Sequence, residues 1–60
     1  MKHFYIEVLV KEGKDHVWKK VHPTGGAPYR YPVRDDAEEV ARMCYPDEWR
    51  IREGVRVVEE

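Results

Sequence analysis

From Phe4 onward, apolar and polar positions alternate. Phe4, Ile6, Val8 and Val10 share one parity, and Tyr5, Glu7 and Leu9 the other. A period of two is the pleat of a strand, whose successive side chains point to opposite faces. Glu12-Gly13-Lys14-Asp15 is a turn signal, with Gly13 able to supply a positive φ. His16 to His22 then reads as the second strand of a hairpin. A two-residue Gly13-Lys14 loop sets Val10 opposite Val17, Val8 opposite Lys19 and Ile6 opposite Val21 on one face. On the other face Leu9 meets Trp18, Glu7 meets Lys20 and Tyr5 meets His22. Apolar groups and opposite charges mostly find suitable cross-strand partners in this register. Lys19 then points to the apolar side, as suits an edge strand guarded against aggregation. A three-residue loop would slip the register by one and turn Trp18 inward.

Pro23-Thr-Gly-Gly-Ala-Pro28 is a loop, and Tyr29 to Val33 is extended because Pro28 and Pro32 oppose helix. A helix follows. Asp35 is its expected N-cap, with Glu38 completing a capping box. Ala37, Val40, Ala41 and Cys44 fall at i, i+3, i+4 and i+7, a single apolar stripe, and Glu38 and Arg42 form an i,i+4 pair. Pro46 ends the run. Beyond it, Trp49, Ile51, Val55 and Val57 share one parity with Gly54 as a bulge, or Pro46 opens a short second helical turn through Trp49. In either case Val55 to Glu59 is the last strand. The expected fold is therefore α+β: one ββαβ domain over residues 1–60. Its three-stranded antiparallel sheet has order 2-1-3, with one helix packed on one face. Phe4, Ile6, Val8, Val10, Val21, Val40, Ala41, Cys44 and Val57 are the expected core, which leaves Tyr5, Leu9 and Trp18 on a face the helix does not cover.

Composition narrows the function classes. The chain has 60 residues and a net charge of −1, which gives no global basic signal for nucleic acid. No apolar run approaches the ~20 residues of a membrane helix, the helix has an acidic rather than a basic polar face, and Met-Lys-His-Phe-Tyr lacks the apolar segment of a signal peptide. Cys44 is the only cysteine, so no internal disulfide forms, in keeping with a reducing, cytoplasmic setting. Ser, Asn and Gln are absent while Glu, Arg and Lys abound. That pattern accompanies heat adaptation, though GC-rich codon usage produces the same bias.

Candidate chemistry is thin. There is no serine nucleophile, Thr24 lies in a loop, and Cys44 on the apolar stripe reads as a buried structural thiol. His3, His16 and His22 match no metal-ligand spacing, and His16 and His22 lie roughly 20 Å apart along one strand. Thr-Gly-Gly-Ala lacks the ending of a phosphate loop and does not run into a helix. Asp35, Asp36, Glu38 and Glu39 complement the helix dipole or offer an acidic surface to a basic partner. Tyr29-Arg30-Tyr31 interleaves aromatics with a cation. With Tyr5, Trp18, Arg50, Arg52 and Arg56 it suggests a stacking platform for single-stranded nucleic acid, a reading the overall charge opposes. No catalytic residue, metal site or cofactor is expected.

The segment Tyr31-Pro-Val-Arg-Asp-Asp-Ala-Glu-Glu-Val-Ala-Arg-Met43, with the strands around it, resembles a group of small phage-encoded proteins built from a sheet and one crossing helix. The group includes inhibitors of bacterial RNA polymerase and some anti-CRISPR proteins. The shared pattern is an extended segment, an acidic helix containing alanine and a charged last strand, over about half the chain. The resemblance implies stoichiometric, non-catalytic binding to a larger host protein and transfers no individual residue. On the chain's own residues the expected contact surface is Tyr5, Leu9, Trp18, Tyr29, Arg30 and Tyr31. Three other readings stand beside it: a homodimer that pairs this face with itself, a single-stranded nucleic-acid binder, and an antitoxin-like subunit of an operon-encoded complex.

Overall fold

The computed structural model describes residues 2–60. Strand β1 (Phe4–Glu12) pairs antiparallel with β2 (Asp15–Lys20) through a two-residue turn and with β3 (Val55–Glu59) on its other side. The sheet has the order β2-β1-β3. Two helices, α1 (Arg34–Cys44) and α2 (Pro46–Ile51), connect β2 to β3. The hairpin register is the one the cross-strand pairs favour: Val10 opposite Val17, Leu9 opposite Trp18, Val8 opposite Lys19 and Glu7 opposite Lys20. Val21 donates its N–H to the Ile6 carbonyl at 2.8 Å, and the second strand then leaves β1. Lys19 sits on the edge strand as expected and pairs with Glu12.

Ile6, Ala37, Ala41 and Val55 form the fully buried core. Two alanines on α1 let the helix approach the sheet closely, and Val8 opposite Val55 and Ile6 opposite Val57 supply the branched surface beneath them. Phe4, Val8, Val21, Val40 and Val57 pack around this centre.

Three expectations require correction. Cys44 is exposed rather than part of the core. It is the last residue of α1, after which the chain bends at Tyr45 (φ −133°, ψ 63°), and Tyr45 and Trp49 take the place next to the core that the stripe assigned to it. Val10 is only half-buried and lies outside the core cluster, because the helices cover the other end of β1. Asp35 does not cap α1. The N-cap is Val33 in an extended conformation with no side-chain cap bond, and Asp35 and Asp36 fall in the first turn, where carboxylates favour the dipole. The segment after Pro46 takes the helical alternative: α2 begins at Pro46, whose missing N–H is no loss at a helix start. It ends at Arg52 in the left-handed region (φ 56°), with the guanidinium 4.2 Å from the centre of the Trp49 ring.

Candidate functional site

Strand alternation sends Tyr5, Glu7, Leu9, Trp18, Lys20, Arg56 and Val58 to the sheet face opposite Ile6 and Val55. Cross-strand pairing arranges them in rows. Val58 lies opposite Tyr5, Lys20 and Arg56 flank Glu7, and Trp18 lies opposite Leu9. The middle row organises the face. Glu7 is a carboxylate on the uncovered side, yet only 7% exposed. Its Oε1 accepts from Arg56 Nε at 2.7 Å and Nη2 at 2.6 Å, and its Oε2 lies 3.5 Å from Lys20 Nζ. Lys20 also donates to Glu60 at 2.9 Å. A buried charge is tolerable only when paired and hydrogen-bonded, and the two flanking strands meet that condition for the central one.

The same two cations cover the aromatic rings. Arg56 stands 4.2 Å from the centre of the Trp18 ring and Lys20 Nζ 5.4 Å from that of Tyr5. Trp18 is half-buried, as a side chain flattened beneath a guanidinium on an edge strand should be. The Glu60 and Glu7 carboxylates hold the Lys20 ammonium above its ordinary pKa, the hydrogen bond to Glu60 contributing most.

The Tyr29–Tyr31 segment divides between the two sides of the domain. Tyr31 forms an antiparallel bridge with Phe4, donating at 2.9 Å and accepting at 2.8 Å. Its ring packs against the core, and burial pushes its phenol above the usual 10.0. The bridge brings Arg30 beside Tyr5 on the uncovered face, while Tyr29 is 48% exposed and anchors its N–H on the Val21 carbonyl at 3.2 Å. The turn that makes this possible is Pro23–Gly26. Gly26 donates to the Pro23 carbonyl at 2.9 Å and Gly25 sits at φ +73°, a conformation that favours glycine. Between this loop and the sheet lies an open groove of about 520 Å³, lined by Tyr5, Lys20, Ala27, Pro28, Arg30 and Glu60.

Of the residues singled out from the sequence, Tyr5, Leu9, Trp18 and Arg30 come together on or beside one face, Tyr29 is exposed and does not line the groove, and Tyr31 packs against the core. Sequence reasoning paired Glu7 with Lys20 but missed Arg56 as the second cation and the three together as the framework of the face. The signal was present, because a lone carboxylate between Tyr5 and Leu9 on one strand face calls for a cation on each neighbouring strand. Among the described residues, no group of three or more His, Cys, Asp and Glu side chains is placed to hold a metal ion. No described helix is long and apolar enough to cross a membrane.

Fold and face together define a small α+β domain whose uncovered sheet side is a cation–aromatic lattice pinned to a buried carboxylate. Comparison with protein-family models, curated proteins and solved structures finds no match for this chain.

Proposed function

We propose that the chain is a small, non-catalytic protein-binding module that docks a larger protein through the face of Tyr5, Leu9, Trp18, Arg30 and Arg56. The mechanism is occlusion, as in a phage-type inhibitor covering a surface of a host enzyme or nucleoprotein complex. The observation that supports this reading is the Glu7 clamp, which fixes Arg56 on Trp18 and Lys20 on Tyr5 before any partner arrives. Trp, Tyr and Arg are the side chains that dominate binding energies, and fixing them in advance lowers the ordering cost of association. Glu7, with both oxygens engaged by cations, is poorly placed to act as a base.

The rival, a single-stranded nucleic-acid binder, draws on the same cations and rings. Base stacking needs open ring faces, whereas Tyr5 and Trp18 each carry a cation over the ring. That favours protein over nucleic acid as the ligand.

The test is quantitative capture from extracts of the source cells with wild-type and Trp18→Ala protein, at low and moderate salt. A stoichiometric protein partner is expected, weakened by at least ~1–2 kcal/mol in Trp18→Ala, with the far-ultraviolet circular dichroism of the variant unchanged. Recovery of nucleic acid alone, with affinity falling steeply in salt, would refute the reading. So would full partner binding by a folded Trp18→Ala protein.

A further inference from the structure

Charge is segregated along the chain. Residues 34–53, which hold both helices, carry seven acidic and four basic side chains, whereas the rest of the chain carries five acidic and seven basic ones. The groove between the sheet and the 23–30 loop lies in the basic part. Lys20 and Arg30 are its two cations, and Glu60 is its one carboxylate. Glu60 accepts from Lys20 at 2.9 Å, above the Tyr5 ring, and its side chain remains 56% exposed. Arg30 makes no ion pair and stacks on no ring among the described residues.

Arg30 is nevertheless well positioned. Tyr31, on one side, exchanges both backbone hydrogen bonds with Phe4. Tyr29, on the other, donates to Val21, and Pro28 and Pro32 stiffen the flanks. The backbone at Arg30 is thus held beside Tyr5 while its exposed guanidinium has no anion of its own, which makes it a vacant half-site. The other half already holds a carboxylate.

We propose that this groove is a receptor for a carboxylate side chain on an acidic segment of the partner protein. The incoming carboxylate bridges Arg30 and Lys20 across Tyr5, and Glu60 is the internal competitor it displaces from Lys20. The inference rests on the protein-binding reading above and names the chemistry of the partner. An acidic peptide fits better than a polyanion. A carboxylate replaces Glu60 like for like.

The test is a titration of the ¹⁵N-labelled protein, followed by amide shifts, with three probes: a short blocked oligoglutamate peptide, its oligoglutamine counterpart, and an oligothymidine of matched charge. Saturable shifts at Tyr5, Lys20, Ala27 and Arg30 are expected with oligoglutamate, and none with oligoglutamine. Arg30→Gln should weaken the binding by roughly threefold to fivefold, and Glu60→Gln should tighten it by a similar factor, the range of an exposed ion pair. Lys14→Gln, a cation in the distant hairpin turn, should leave it unchanged. All three positions are exposed, and the dispersion of the free spectra verifies the fold before each titration.

Three results would overturn the proposal: no saturable shift with oligoglutamate, equal weakening by Lys14→Gln and Arg30→Gln, or no tightening in Glu60→Gln. The two levels of inference fail differently. If oligothymidine binds in the groove and oligoglutamate does not, the protein-binding reading fails as well. If neither binds, the groove proposal fails alone and the Trp18 test still decides the face.

Discussion

Glu7→Gln keeps the size of the side chain and removes its charge. In the folded protein Oε1 receives two bonds from Arg56, at 2.7 and 2.6 Å, while Oε2 faces Lys20 at 3.5 Å. A glutamine has one oxygen to offer, so its amide NH₂ must turn toward one of the two cations. Hydrogen bonds to a charged group contribute about 1.5–3 kcal/mol. Breaking a fully buried ion pair on one side costs about 3–5 kcal/mol. The Arg56 side chain is 47% exposed, so water takes over part of its solvation once the carboxylate is gone. That places the expected loss at the lower level, about 2 kcal/mol. In a domain of this size each kcal/mol moves the melting temperature by about 4–8 °C, so the transition should fall by roughly 10 °C.

Thermal unfolding followed by circular dichroism measures that loss, and a cycle with Arg56→Gln isolates the pair. Arg56→Gln also takes the guanidinium off Trp18, but this loss is common to both Arg56→Gln variants and cancels in the coupling term. A coupling of about 1–2 kcal/mol is expected. Additivity within about 0.5 kcal/mol would mean that carboxylate and guanidinium do not engage in the folded state, and the account of the face as a preorganised lattice would collapse with it.

Two further expectations follow from particular side chains. The Tyr31 phenol is pushed above 10.0 by burial, and Lys20 is raised above 10.5 chiefly by its hydrogen bond to Glu60. In both cases the folded protein holds a proton the unfolded chain releases first. The associated stability is therefore fully present below the unfolded values, about pH 10, and is lost as pH rises through the folded ones. Urea unfolding across that range should show a downturn that Tyr31→Phe makes shallower, and identical slopes in the two proteins would contradict the burial argument. Cys44 is exposed on the last turn of α1, so the native thiol should react with an aromatic disulfide reagent at the rate of a free cysteine. Protection that disappears only in denaturant would show that the thiol is packed after all.

How much of this was legible in the sequence depended on the range of the interaction. The β1–β2 register could be read because its cues are local: Val10 with Val17, Leu9 with Trp18 and Glu7 with Lys20 all follow from one short turn. The order β2-β1-β3 followed from topology, since the chain leaves the hairpin, crosses by helix and has only one free edge of β1 to join. The end of α1 was harder. The apolar stripe continues to Cys44 on paper, but the bend at Tyr45 and the second helix from Pro46 hand that part of the core to Tyr45 and Trp49. The start of α1 went wrong by two residues for a related reason. Arg34 is already helical, so Asp35 acts in the first turn instead of before it. Parity could not decide between strand and helix at Trp49 and Ile51, which share the alternation of Val55 and Val57 but lie in a helix.

The candidate face was half legible for the same physical reason. Parity along β1 and β2 exposes Tyr5, Leu9 and Trp18, but the residue that organises them is joined to a position 49 residues away in the chain. Yet the pair follows from premises the sequence already supplies. Once β3 lies antiparallel to β1, with Val57 inward, Arg56 is the cation of its outward parity and comes opposite Glu7. A sheet that one side of helices cannot cover twice has two ways to keep its second face from aggregating: charge it, or cover it with another chain. This face does the first with a buried carboxylate that holds cations down over its own aromatic rings. On the protein-binding reading proposed above, a partner would meet these cations and rings already fixed in place. Stability and recognition therefore act on the same residue, so substitutions at Glu7 should weaken folding and docking together, whereas those at Arg30 should weaken docking alone.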